Sequence, residues 1–230
     1  MSAPLRVGVI GLGARCVIAE NCHKATIPAE LVGGCDPNPA MRQRATEVLG
    51  DYPWFETLDE LLELGIDCAI VTSPDDTHED ITCALLEAGV AVYLEKPIAI
   101  TIEGSDRVLE TAYRTKTPLY VGHNMRHMAV VRILRQVVQD GLIGEVRAIW
   151  CRHFVGNGGD YYFKDWHADR SRTTGLLLQK AAHDIDVMNW LSDSVPERVV
   201  GMGDLMLYGK LSDRSGQKSD AVMSDWFSFD

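Results

Sequence analysis

"VGVIGLGARC", residues 7–16, governs how the rest of the chain is read. A short apolar run ends in Gly11-Leu12-Gly13, and Cys16 stands where a third small residue closes a G-x-G-x-x-G/A turn between strand and helix. Glycine at 11 allows the tight turn, and glycine at 13 lets a pyrophosphate approach the backbone. The helix that follows, opening at Ala14 and Arg15, offers unpaired N–H donors and a favourable dipole. Alone this turn is a weak signal, because glycine-rich turns are common. Asp36 strengthens it. It lies 23 residues after Gly13, at the end of the second apolar run, where an acid binds ribose hydroxyls. A carboxylate there also repels a 2′-phosphate, so NAD is favoured over NADP; Arg42 and Arg44 on the next helix leave that preference open. The plainer alternative is a glycine turn followed by an ordinary helix-capping aspartate.

Outward from this turn the chain alternates. Apolar runs at 5–10, 29–35, 66–74, 90–95 and 118–124 are separated by helical patterns at 13–26, 39–50, 57–65, 76–89 and 101–115. Strands apolar on both faces, each followed by a helix, predict a parallel sheet sandwiched by helices, an α/β Rossmann domain over 1–122. Past 122 the rhythm changes. Helices are expected at 129–140 and 176–191, strands at 145–155 and 197–209, and a polar, aromatic loop at 156–175, with a polar tail at 210–226. Residues 123–230 therefore read as a partial α+β open-sheet domain for substrate binding and oligomerisation.

Composition removes several classes of function. The net charge is −11 and the pI about 5.0, a surface that repels nucleic-acid phosphates and anionic lipid. No apolar stretch reaches the length of a membrane span, and no charged leader precedes a long apolar run. Six scattered cysteines without a C-x-x-C pair suit a reducing compartment, so a cytoplasmic location is expected.

Four motifs in order, "GLGARC" (11–16), "TSPDDTH" (72–78), "EKP" (95–97) and "HDID" (183–186), resemble the glucose-fructose oxidoreductase/inositol dehydrogenase/MocA family over nearly the whole chain. The resemblance implies a Rossmann domain, an open-sheet domain, and a pocket between them where a sugar or polyol meets the nicotinamide. It also implies a cis bond before Pro97. Strand carboxyl ends carry the ligands in such sheets, so Lys96 is the candidate proton-transfer group, with Glu95 holding it or the ribose region. A surface Lys–Glu pair is the alternative. Thr72 and His78 lie in the loop that resembles the family's cofactor-contacting loop, although His78 could equally be a cap residue; Asn124 and Arg126 are candidates for cofactor amide or substrate contact.

His183 is the second candidate catalytic group, sharing a helix face with Gln179 and Asp186. The family carries an acid where this chain has Gln179, which can orient an imidazole or bind a hydroxyl but cannot exchange protons. That loads the acid–base work onto Lys96 and His183, with Lys180 or Asp184 as auxiliaries. Tyr161, Tyr162, Asp165, Trp166 and His167 are the candidate substrate wall, because sugar rings pack on aromatic faces; packing on the sheet would serve those aromatics as well. His123, His127, His153, His167 and Asp169 raise a metal site, but without H-E-x-x-H or a cysteine cluster no metal is expected. The expected function is NAD-dependent oxidation of a sugar, cyclitol or polyol hydroxyl. A glycosidase using transient oxidation by bound NAD, or a catalytically impaired nucleotide-binding regulator, are the alternatives. Family members continue further, so strands 145–155 and 197–209 are expected to leave edges uncovered and to make a homo-oligomer through that sheet.

Overall fold

The computed structural model describes residues 3–24, 26–153, 162 and 165–203. The chain divides into two compact units, Met1–Gly122 and His123–Asp230. In the first, strands β1 (Leu5–Ile10), β2 (Ala29–Cys35), β3 (Trp54–Phe55), β4 (Cys68–Val71), β5 (Ala91–Leu94) and β6 (Leu119–Val121) form one parallel sheet in the order β3-β2-β1-β4-β5-β6. The order reverses between β1 and β4, which puts the switch point of the sheet beside the glycine turn. The two-residue strand β3 is too short for any periodicity to mark it.

Alternation along each strand divides the core into two faces. Val7 and Val9 of β1, Ile70 of β4 and Tyr93 of β5 face one layer, with Leu12, Cys16, Leu31 and Ala45. Ala69 and Val71 of β4 and Val92 and Leu94 of β5 face the other, with Leu61, Leu85 and Leu86. A sheet buried on both sides needs apolar residues at successive positions, which is why these strands read as continuous apolar runs. Each fully buried leucine, such as Leu85 or Leu86, contributes roughly 1.5–3 kcal/mol over leaving it in water. Gly34 is required where β2 runs beside β1, since a Cβ there would lie 2.4 Å from Val9 O.

The intervening helices are α1 (Pro39–Leu49), α2 (Leu58–Leu62), α3 (His78–Glu87) and α4 (Ile102–Thr115). Three of these four starts carry a side-chain cap. Asn38 Oδ1 accepts from Ala40 N at 3.0 Å with Pro39 at the first helical position, and Thr101 Oγ1 accepts from Gly104 N at 2.9 Å. Thr57 and Glu60 form a reciprocal capping box at α2. The helix expected at 13–26 is instead a 3-10 helix, Ala14–Lys24. Its entry is an i→i+3 bond, Cys16 N donating to Gly13 O at 3.3 Å, the tighter winding of that form.

The second unit carries α5 (Ala129–Gln139), α6 (Arg170–Thr173) and α7 (Leu176–Ser192), with short 3-10 turns at Asn124–His127 and Asp165–Ala168. Here two expected strands differ from the structure over their described residues. Among the described residues, 145–153 and 197–203 form no strand and most of their side chains are exposed. Alternation such as "EVRAIWCRH" licenses a strand only where a neighbouring strand accepts from its N–H groups and donates to its C=O groups, and no described residue does so. Residues 154–155 and 204–209 of those two segments, Tyr161 of the aromatic loop and the polar tail lie outside the described residues.

Candidate active site

Three loops at the carboxyl ends of β1, β4 and β5 are bonded to one another. Gly11 adopts φ +84°, and a Cβ there would sit 2.4 Å from Ser73 N, so only glycine lets the turn lie against the loop after β4. Thr72 seals this contact: its Oγ1 donates to Gly11 O at 2.7 Å and its N–H to Ile10 O at 2.8 Å. Arg15, in the first turn after Gly13, reaches Glu95 Oε1 at 2.5 Å. Glu95 is 5% exposed, and a buried carboxylate needs such a partner. Its carboxylate is thus held by Arg15, a pairing across 80 residues that no sequence pattern announces. The Lys96–Pro97 peptide is cis, as the resemblance implies, and Lys96 is half-buried beside it.

Asp36, at the end of β2, is held by two main-chain N–H groups. Its Oδ2 accepts from Leu12 N at 2.9 Å and its Oδ1 from Asn38 N at 2.8 Å, fixing the carboxylate beside the glycine turn. Each oxygen keeps a second lone pair for a hydroxyl donor. Arg42 Nη1 donates to Asp36 O at 2.6 Å, and Arg44 Nη1 to Gly13 O at 2.8 Å, so both guanidiniums are bonded to main-chain carbonyls of this region. Arg44 also lies 3.6 Å from Cys16 Sγ and steadies the turn at the position of the third small residue. Burial raises the Cys16 thiol above its usual range, the Arg44 hydrogen bond opposing it. A dinucleotide fits this turn: nothing lies within 4 Å of a Cβ built on Gly13, and the Asp36 carboxylate is held beside it.

His78 is the first residue of α3 and 1% exposed; Thr77, and not His78, occupies its cap position. Its Nδ1 lies 2.7 Å from Pro97 O and its Nε2 3.0 Å from Ser73 O. Both ring nitrogens thus face main-chain carbonyls.

In the second unit, α7 presents Gln179 and His183, both buried. Gln179 Nε2 and His167 Nδ1 are hydrogen-bonded at 2.7 Å, and His167 stacks on Trp166 with ring centroids 3.7 Å apart. Tyr162 stands edge-on to His167 at 5.9 Å, and Lys180 Nζ lies 5.7 Å over the Tyr162 ring. The structure therefore brings together Tyr162, Trp166, His167, Gln179 and Lys180. Asp186 takes a different partner from the one suggested by its spacing to His183: Arg126 grips it bidentately at 2.7 and 2.5 Å, and His123 Nδ1 is 3.7 Å away. His123 meets His183 edge-on at 6.5 Å. Asp184 pairs with His153 Nδ1 at 2.9 Å. Asn124 is exposed at the start of its 3-10 turn. Arg126–Asp186 and His153–Asp184 were not legible in sequence, because each joins residues 60 and 31 positions apart with no shared motif. Among the described residues no group of three or more His, Cys, Asp or Glu side chains could hold a metal ion, and no helix is long and apolar enough to cross a membrane.

Comparison with known proteins bears on both units. Residues 5–123 match the oxidoreductase family with an NAD-binding Rossmann fold, and residues 131–223 match the GFO/IDH/MocA C-terminal domain. The chain is 30% identical over 197 residues to the inositol 2-dehydrogenase of Serratia proteamaculans (strain 568), covering 82% of this chain and 55% of that protein. It is 27% identical over 223 residues to the inositol 2-dehydrogenase of Rhizobium meliloti (strain 1021), covering 95% of this chain and 64% of the relative. The scyllo-inositol dehydrogenase of Lactobacillus casei, solved with NAD(H) and scyllo-inositol, superimposes with a TM-score of 0.70 at 26% identity, over 83% of this chain and 57% of that one. The chain spans about half the length of the curated relatives it matches. A switch-point glycine turn, an acid after β2, a Glu-Lys-Pro turn after β5 and matches over both units together make this chain a member of the Gfo/Idh/MocA oxidoreductase family.

Proposed function

We propose that the protein is an NAD-dependent dehydrogenase that oxidises a hydroxyl of a sugar, cyclitol or related polyol. The observation that carries the reading is the bonded junction of three loops at the switch point, where Thr72 joins Gly11 and Arg15 joins Glu95 beside Lys96. Gly11, Gly13, Ala14 and Arg15 would receive the pyrophosphate, Asp36 the adenosine ribose, and Thr72 and Asn124 the nicotinamide half. A nicotinamide held there supplies the hydride acceptor. Lys96 takes the hydroxyl proton as the C–H electron pair leaves, and its place at the end of β5 directs it to the ligand side of the sheet. His183 assists that proton transfer. Trp166, His167, Gln179 and Lys180, gathered around Tyr162, form the surface for the polyol, and Arg126 braces Asp186 one turn from His183.

The test is a panel of inositols and free sugars with NAD and with NADP, followed by absorbance of the reduced cofactor. Reduction with at least one polyol is expected; its absence across the panel, with cofactor still bound, rejects the reading. Gln179 favours one rival, a nucleotide-binding protein of impaired catalysis, since its amide holds His167 and exchanges no proton. That rival predicts tight cofactor binding with no turnover.

A further inference from the structure

We propose that His78 is a positioning residue: its imidazole clamps the Lys96–Pro97 segment to the loop after β4 and so fixes Lys96 at the carboxyl end of β5. The idea rests on Lys96 being the proton-transfer group argued above, and it gives His78 a role other than cofactor contact.

The β5 ladder closes with Glu95 N donating to Val71 O at 3.0 Å. Beyond it the chain turns through Lys96 and Pro97, and proline brings no N–H with which to tie itself down. A side chain supplies the tie. His78 Nδ1 meets Pro97 O at 2.7 Å, while Nε2 meets Ser73 O at 3.0 Å. A neutral imidazole donates to one of these carbonyls and a protonated one to both. A single donation to Pro97 O already ties the turn after β5 to the start of α3, and donation to both carbonyls joins it to Ser73 as well. Burial raises the stakes: an imidazole 1% exposed costs free energy unless it is hydrogen-bonded, so apolar packing alone does not account for histidine here.

The clamp is continuous with the cofactor turn. Ser73 follows Thr72, whose hydroxyl holds Gly11 O at 2.7 Å, and Thr77 Oγ1 bonds Ser73 Oγ at 2.7 Å on the same loop. The path Gly11–Thr72–Ser73–His78–Pro97 therefore sets the main chain of Lys96 against the glycine turn through short polar contacts within one unit. Proton transfer needs donor and acceptor within hydrogen-bond reach, and a displacement of about 1 Å can cost about a hundredfold in rate.

The experiment compares wild type with His78→Phe, which keeps the ring volume without donors, and His78→Gln, whose amide can serve one carbonyl. Three quantities are read: kcat and KM on the polyol found by the panel, NAD affinity by fluorescence titration, and amide hydrogen exchange of peptides spanning 95–101. For His78→Phe we expect kcat to fall about 10- to 100-fold with KM and NAD affinity changed by less than about threefold. Exchange over 95–101 should accelerate while β1 and β4 stay protected, and His78→Gln should recover part of both. A folded His78→Phe protein with unchanged kcat and exchange overturns the proposal, as does a loss falling mainly on NAD affinity, which would make His78 a cofactor contact. If His78→Phe does not fold, His78→Gln decides by the same measures at smaller amplitude. If wild type oxidises no polyol, the reading of Lys96 fails, while the exchange data still accept or reject the clamp.

Discussion

In the proposed function, chemistry turns on Lys96 and cofactor choice on Asp36. Replacing Lys96 by alanine removes the proposed general acid–base group and leaves the glycine turn and Asp36 in place. Turnover should fall by about two to four orders of magnitude, with NAD affinity nearly unchanged. Steady-state rates paired with a fluorescence titration check this; full turnover would make Lys96 a surface residue. Asp36 predicts a preference for NAD(H) over NADP(H), and Asp36→Ala should relax it by removing both the ribose acceptor and the repulsion of a 2′-phosphate. The bonding of Arg42 and Arg44 to Asp36 O and Gly13 O supports that preference, because both guanidiniums already have main-chain partners. Parallel titrations of both cofactors check it, with equal or reversed affinities rejecting it. Gly11, Gly13 and Asp36 were legible because turn geometry and charge leave their mark at fixed spacing. The partners of Glu95, Asp184 and Asp186 were not, since ion pairs across 31 to 80 residues depend on how elements meet in space.

At the scale of the element, strand ends govern the titration behaviour. Cys35 closes β2 and is buried, and desolvation, with Asp36 and Glu60 adding to it, pushes its thiol from 9.0 up to about 12. In the unfolded chain the same thiol ionises near 9.0. The native state thus holds the proton more tightly, so this contribution to stability is full below about pH 9 and is lost as the pH climbs toward 12. Denaturant midpoints at pH 8.5 and pH 10.5 should show the decline, and Cys35→Val should make it shallower. The slope should persist in part, because burial also raises the Cys22 and Cys68 thiols and the Tyr93 hydroxyl. Element type was legible wherever period and caps agreed, as in α1 and α4. It was less so after Gly13, where a 3-10 helix replaces the expected α-helix, and at 145–153, where an alternating pattern has no ladder partner among the described residues.

Across the whole molecule, exposed apolar side chains bear on assembly. In the second unit Ile133, Trp150, Val199, Val200 and Met202 are all exposed, three of them by more than 85%. Apolar surface of this kind commonly marks a contact, so we expect self-association through this unit. Sedimentation velocity over a concentration series checks it, and a monomer at every concentration rejects it. Sequence by itself determined the doubly wound sheet, the cofactor turn and the Glu-Lys-Pro strand end. Strand period, glycine geometry and chain reversals are local constraints, each written within a few neighbouring residues. Only the tertiary structure decided that Arg15 neutralises Glu95, that Arg126 takes Asp186, that Gln179 binds His167 and that His78 bridges Ser73 to Pro97. A buried polar group takes whichever partner packing brings within about 3 Å, and packing is a property of the folded chain as a whole.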